Sequence, residues 1–367
     1  MVDAQRNEFQ PDYLVQPCEV LCYELEQRGM NQRELARRTG LSPKHIVDLV
    51  KGKSRITPET AIKLERSIGM PVDYWLTLEA HYQEALARHQ EEESLDNQLE
   101  WLQRVPVKSM VKLRWIKPFP DKREQLKELL QFFSIASVDQ WGDVWRDLPV
   151  AYRQYNKHEV FPEAVSAWLR RGELEAASIA CKNFDRGAFQ GALDQIRALT
   201  ALSPDVFLPQ VQELCAAAGV AVAFVPALPK IGITGATRWL SPVKALIQLS
   251  LCHETNDRLW FTFFHGAGHI MLHGKRELFL ECVSGSDGLS DEKEHAANAF
   301  AQKALVPRKA LDTFISERDY SQQAIREFAE VVSIAPGIIV GQLQQKRVLG
   351  SNQCNQLKCR YKWADEG

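Results

Sequence analysis

Every patterned segment before residue 204 has a helical period, and strand-like runs begin only after it, so any sheet is confined to the second half of this 367-residue chain. Residues 220–225, 245–251 and 278–283 read as short apolar strands enclosing a helix that starts near Trp260. Residues 235–240 read as a turn ahead of that helix and of the strand at 245–251. Residues 101–202 carry amphipathic patterns with Trp101, Trp115, Trp141, Trp145 and Trp168, broken by Pro118 and Pro120, and tryptophans so spaced belong to a core. A chain of this length with 45% apolar residues exceeds one core, so two or three domains are expected. The class is multidomain, mainly α with an α+β C-terminal half. The boundaries expected are 10–82, a linker and helical connector over 83–203, an α+β domain over 204–310, and a helical extension over 311–367. The run 83–100, centred on three successive glutamates, reads as a solvated helix or linker.

The eight cysteines are scattered without a Cys-x-x-Cys pair, and no secretory signal precedes them, which points to a reducing cytoplasm. The longest apolar run, 215–228, is interrupted by Gly219 and Pro226 and falls short of the roughly 20 residues a membrane helix needs. No membrane partner is expected. A formal net charge of -2 conceals a local excess: residues 28–66 hold ten basic side chains against four acidic ones.

That basic stretch has its own local grammar. Asn31 is a good N-cap for a helix over 32–38, Gly40 ends it, Ser42-Pro43 opens a second helix to Val50, and Gly52 follows. Two short helices joined by a tight glycine-containing turn make a helix-turn-helix, and the positive patch is the footprint of phosphate binding. Gln32, Ser42, Lys44, His45, Lys51 and Lys53 are the expected DNA-facing residues, with Lys44, His45 and Asp48 nearest the base edges. The segments 16–19, 29–32, Leu35-Ala36, 39–42, Gly52-Lys53, 56–61 and 69–78 resemble the XRE-type domain of HigA-family antitoxins over about residues 10–82. The resemblance implies a five-helix, lambda-repressor-like domain that binds a palindromic operator as a homodimer. It departs at Cys18, where the family more often has glycine.

His265-Gly266-Ala267-Gly268-His269 keeps the histidine spacing of H-E-x-x-H, in which two histidines four apart share a helix face and bind one Zn²⁺ while the intervening glutamate acts as general base. Gly266 stands where that glutamate would be. His273 continues the spacing but lies roughly 12 Å along a straight helix from His265, too far to share an ion, and reads as a supporting residue. Glu294 or His295, on a downstream helical segment that ends at Leu305-Val306-Pro307, can complete the site. Residues 261–273 and 294–307 together resemble the ImmA/IrrE metallopeptidases, whose pattern is H-E-x-x-H followed by E-x-x-A-N-x-F-A and a proline. The resemblance spans about residues 205–310. It implies a compact gluzincin-like (zincin-like) fold, often fused to an XRE domain, with His265, His269 and Glu294 as zinc ligands. It also implies that Gly266 removes the base, and general-base catalysis typically supplies about 10²- to 10⁴-fold. A natural pseudoenzyme and an inactivating substitution leave the same signature, and Gly266→Glu is expected to repair either by one change while raising helix propensity. Upstream, the edge of a strand can hold an extended peptide, with Arg238 on a substrate carbonyl or carboxylate. The reading is a DNA-binding regulator or antitoxin-like protein with an impaired zinc domain and a toxin or repressor as protein partner. The alternative is an active zinc endopeptidase that cleaves such a partner.

Overall fold

Helix caps read from the sequence are the caps that form. The computed structural model describes residues 15–145, 161–251, 255–282 and 292–363, so residues 10–14 of the antitoxin resemblance and the end of the strand read at 278–283 lie outside the described residues. The chain divides into two compact units, Met1–Leu99 and Glu100–Gly367. The first holds α1 (Pro17–Gln27), α2 (Gln32–Thr39), α3 (Pro43–Val50), α4 (Pro58–Ile68) and α5 (Val72–Asp96). Asn31 Oδ1 accepts from the Glu34 amide at 2.9 Å and Ser42 Oγ from the His45 amide at 3.1 Å, each satisfying a donor with no partner inside its helix. Gly40 closes α2 at φ 70°, a conformation that costs other residues strain. Leu21, Leu35, Ile46, Leu64 and Trp75 are fully buried and hold the five helices together, at roughly 1.5–3 kcal/mol for each aliphatic side chain. The acidic run continues α5 as an exposed helix to Asp96.

The second unit begins with α6 (Val107–Lys112), α7 (Lys122–Phe133), α8 (Val138–Val144), α9 (Pro162–Ser178), α10 (Arg186–Leu199) and α11 (Pro204–Ala217). Trp101, Trp115, Trp145 and Trp168 are buried as expected. Trp141 is half-buried and donates its ring N–H to Ser166 Oγ at 3.2 Å. Then come β1 (Val220–Phe224), β2 (Ile233–Ser241), β3 (Lys244–Leu249), α12 (Asn256–Leu272), β4 (Phe279–Cys282), α13 (Glu292–Leu305), α14 (Arg308–Glu317), α15 (Gln322–Val331) and α16 (Pro336–Gln345). The sheet order is β1-β3-β2-β4, with β1 parallel to β3 and the other pairs antiparallel.

Residues 235–240 are therefore not a turn but the centre of β2. A glycine, two threonines and an arginine hide any alternation, yet β2 is hydrogen-bonded on both sides, and the reversal falls instead at 241–244. Gly235 admits α12 there, since a Cβ would come within 2.5 Å of Thr262 Cγ2. Alternation along the strands does appear in three dimensions: Thr237 and Ile247 face Gly266 of α12, whereas Arg238 and Gln248 reach Leu169 and Trp168 of α9. The sheet is thus covered by helices on both faces. One core runs from Phe189 on α10 to Leu357 near the C-terminus. The boundaries expected at 203/204 and 310/311 cut through it, because α10, α14, α15 and α16 bury their apolar faces in the same core as the sheet. No helix among the described residues is long and apolar enough to cross a membrane.

Candidate metal centre and nucleic-acid interface

Between Leu259 and Met271, α12 is mostly apolar and, apart from the half-buried Phe261, buried: Trp260, Phe263, Phe264 and Ala267 are at most 2% exposed. Its two glycines fit it between neighbours. A Cβ at Gly266 would lie 2.5 Å from Thr237 Oγ1, and one at Gly268 would lie 3.2 Å from Ala297 Cα of α13. Helical spacing then stacks His265 over His269, with their Nε2 atoms 2.8 Å apart. Glu294, in the first turn of α13, reaches both: Oε2 is 3.2 Å from His265 Nε2 and Oε1 is 3.3 Å from His269 Nε2. His295 is exposed on the same turn and takes no part.

These three side chains fit a zinc ion. Each offers one ligand atom and all lie within 4.8 Å of one another, in a buried site. Zinc ligands about 2.0–2.1 Å from the metal in a tetrahedron stand about 3.3 Å apart, close to the spacings found. The rear nitrogens are also engaged. His265 Nδ1 is 3.0 Å from Asn298 Oδ1, an acceptor that places the proton on Nδ1 and leaves the Nε2 lone pair for a metal. His269 Nδ1 is 3.0 Å from His273 Nδ1, which gives His273 the supporting position expected of it, and the Phe279 ring stacks on His269 at 3.7 Å. Asn298 lies in the E-x-x-A-N-x-F-A segment, yet nothing in its sequence position alone marks it as the partner of His265.

Electrostatics follow the same geometry. Burial pushes the His265 imidazolium down, but the Glu281 and Glu294 carboxylates outweigh it and hold its pKa at about 8. Burial leads in lowering the pKa of His269. Glu294 sits well below the usual carboxylate range, since its hydrogen bonds to the two histidines overcome desolvation. Glu281, which the sequence reading missed, is pushed up to about 7 by burial, and its Oε1 is 3.6 Å from His265 Nε2. It was not recognisable because β4 brings it to the ligands from a segment with no motif.

Arg238 does not serve the site. Its guanidinium donates to Leu169 O at 3.0 Å and pairs with Glu173 at 3.0 Å, on the face of the sheet opposite the ligands, and its side chain is 14% exposed. It is a buried staple between β2 and α9 and cannot meet a substrate carbonyl. Nor is β2 an edge strand: the free edges belong to β1 and β4.

In the first unit, Gln32 is exposed at the start of α2, Lys44 is exposed and His45 half-buried on α3, and Lys51 and Lys53 are exposed in the turn beyond it. Ser42 is exposed and caps α3, its Oγ accepting from the His45 amide, which leaves the hydroxyl hydrogen out of the cap. Arg37 and Arg38 both pair with Glu34, at 2.7 and 2.8 Å, so their charge is partly spent within α2.

Comparison with known proteins gives a family for a segment of each unit. The helix-turn-helix family matches residues 23–75, and the M78 peptidase family, described as IrrE N-terminal-like domain, matches residues 235–335. The chain is 35% identical over 63 residues to the uncharacterized HTH-type transcriptional regulator YddM of Escherichia coli (strain K12), covering 17% of this chain and 67% of that protein. A solved addiction module antidote protein of a HigA family from Coxiella burnetii is 23% identical, covers 23% of this chain and 94% of its own, and superposes with a TM-score of 0.22. The chain belongs to the helix-turn-helix regulators through its first unit, and through its second it carries an IrrE N-terminal-like domain of the M78 peptidase family.

Proposed function

We propose that this protein is an operator-binding regulator whose IrrE-like domain binds zinc through His265, His269 and Glu294 and does not hydrolyse peptides. The observation that supports it is the pairing of a convergent, buried ligand set with a glycine at the position of the general base. Zinc, when bound, would supply a Lewis-acid centre. The chain's own residues orient the imidazoles through Asn298 and His273 and leave no carboxylate at 266 to take a proton. Through the antitoxin resemblance of residues 10–82, the DNA partner is an operator bound as a homodimer, and through both resemblances the protein partner is a toxin or repressor.

Elemental analysis of the purified protein tests the metal: about one zinc per chain is expected, with Glu294→Ala losing more than Lys293→Ala. Mass spectrometry of a candidate repressor, and of the chain itself, tests the chemistry. The expectation that Gly266→Glu alone repairs hydrolysis needs amendment, because a side chain there meets Thr237. The informative variant is Thr237→Ala combined with Gly266→Glu, which gains chelator-sensitive cleavage that the unmodified chain lacks only where the metal keeps an open position for water. Efficient, chelator-sensitive cleavage by the unmodified chain would replace this reading with that of an active peptidase.

A further inference from the structure

Three protein ligands leave a tetrahedral zinc with one open corner, the arrangement of hydrolytic sites, in which water occupies the fourth position. A second buried carboxylate adjoins this cluster. Glu281 on β4 lies with its Oε1 3.6 Å from His265 Nε2, the same nitrogen that Glu294 approaches at 3.2 Å. Its side chain is 17% exposed, and the Thr262 hydroxyl of α12 hydrogen-bonds it. Pairing with β2 fixes its backbone, with Glu281 in register with Gly235. It therefore comes to the ligands from the sheet, while Glu294 comes from α13.

We infer that Glu281 is a fourth protein ligand, which makes the centre a closed site of two histidines and two carboxylates. The inference rests on the metal-site reading above and extends it. Charge is the first argument. Two neutral imidazoles and Glu294 would leave a divalent ion with one uncompensated positive charge in a buried place, and a second carboxylate neutralises it. Distance is the second: Glu281 Oε1 stands 3.6 Å from His265 Nε2, against about 3.3 Å between tetrahedral ligand atoms, and because it lies outside the set of atoms within 4.8 Å of one another formed by His265, His269 and Glu294, its side chain has to swing toward the other two ligands to close the site. The third is the absence of a residue at 266 to act on a water, since a closed site needs none. Structural zinc sites are closed in this way, and binding would tie β4, α12 and α13 together. The metal then acts as a ligand-dependent clamp on the domain, and the ion it takes is a divalent cation that accepts mixed nitrogen and oxygen donors.

The test uses the full-length protein, depleted of metal and titrated with Co²⁺ followed by visible absorption and with Zn²⁺ by competition. The unmodified protein should bind one ion with the intense spectrum of a tetrahedral site, and added acetohydroxamate should leave that spectrum unchanged because no position is open. Glu281→Gln and Glu281→Ala should weaken binding by more than about 100-fold, beyond the 10- to 100-fold that losing a supporting hydrogen bond costs. Glu277→Gln, an exposed acid two strand positions before β4's Phe279, should not. A hydroxamate-induced shift in the unmodified protein overturns the proposal without any variant having to fold. So does full binding by both Glu281 variants; if Glu294→Ala still abolishes binding, the three-ligand reading survives while this one fails. No ion bound by the unmodified protein would overturn both.

Discussion

A methyl group at position 266 would press on Thr237 Oγ1 at 2.5 Å, with the next nearest atom, Ile247 Cγ2, at 3.5 Å. Alanine gains about 1 kcal/mol over glycine inside a helix, but overpacking a closed core costs about 1–3 kcal/mol, so the contact decides the sign. Gly266→Ala should therefore lower stability by urea denaturation, and adding Thr237→Ala, which removes the obstructing atom, should restore it. A stabilising Gly266→Ala alone would refute the packing argument. The charged residues nearby set a pH dependence. His265 is held at about 8, above its ordinary value, and Glu281 at about 7, above its own. A raised pKa means that the folded protein holds the proton more tightly, so the Glu281 contribution is intact in acid and gone by about pH 7, and that of His265 is intact in acid and gone by about pH 8. In the metal-free protein His265 alone accounts for a loss of about 2 kcal/mol between pH 6 and 9, and Glu281→Gln should flatten that decline in a series of thermal melts. His265, His269 and Glu294 were legible from spacing and motif. Thr237 and Glu281 were not, because a strand partner and a neighbouring helix bring them to the site from segments that carry no pattern of their own.

Among the elements, α3 makes the clearest functional claim. Its start is set by Ser42 and Pro43, its inner face by Ile46 and Leu49, and its outer face carries Lys44 and the half-buried His45. Lys44→Ala with His45→Ala should weaken binding to the protein's own upstream DNA and relax its sequence preference. Lys53→Ala, in the turn beyond α3, should weaken all DNA about equally and reduce the salt slope by about 1. Fluorescence titrations at two salt concentrations separate the two outcomes, and salt-independent binding by the unmodified protein would remove the operator from the account. Helices α1 to α5 were readable because caps, glycine stops and apolar spacing are local signals. The strand β2 was not, because its stability comes from hydrogen bonds to β3 and β4, which are far from it in the sequence or follow an unmarked reversal.

Across the second unit, the end of the chain fastens the start of the metal helix. The Asn256 amide donates to Cys359 O at 2.9 Å, the Cys359 amide donates to Asn256 Oδ1 at 3.1 Å, and Lys358 Nζ, half-buried, pairs with the buried Asp257 at 2.7 Å. Removing one member of a buried pair strands the other charge, at a cost of about 3–5 kcal/mol. Lys358→Ala should thus lower the melting temperature of this unit and, because α12 begins at Asn256, reduce metal retention in equilibrium dialysis; unchanged stability would show the pair to be dispensable. The expectation of a separate C-terminal extension failed for the same reason: residues 311–357 complete the core that the sheet begins. The contact between Gly266 and Thr237 has a historical consequence as well. In a lineage that carries this pair, a single codon change back to glutamate meets a steric penalty before it can confer any chemistry, so reversion must pass through position 237 first. A base at 266 would in this sense be easier to lose than to gain, and surveying related sequences for residue pairs at these two positions would show in which order the steps are taken.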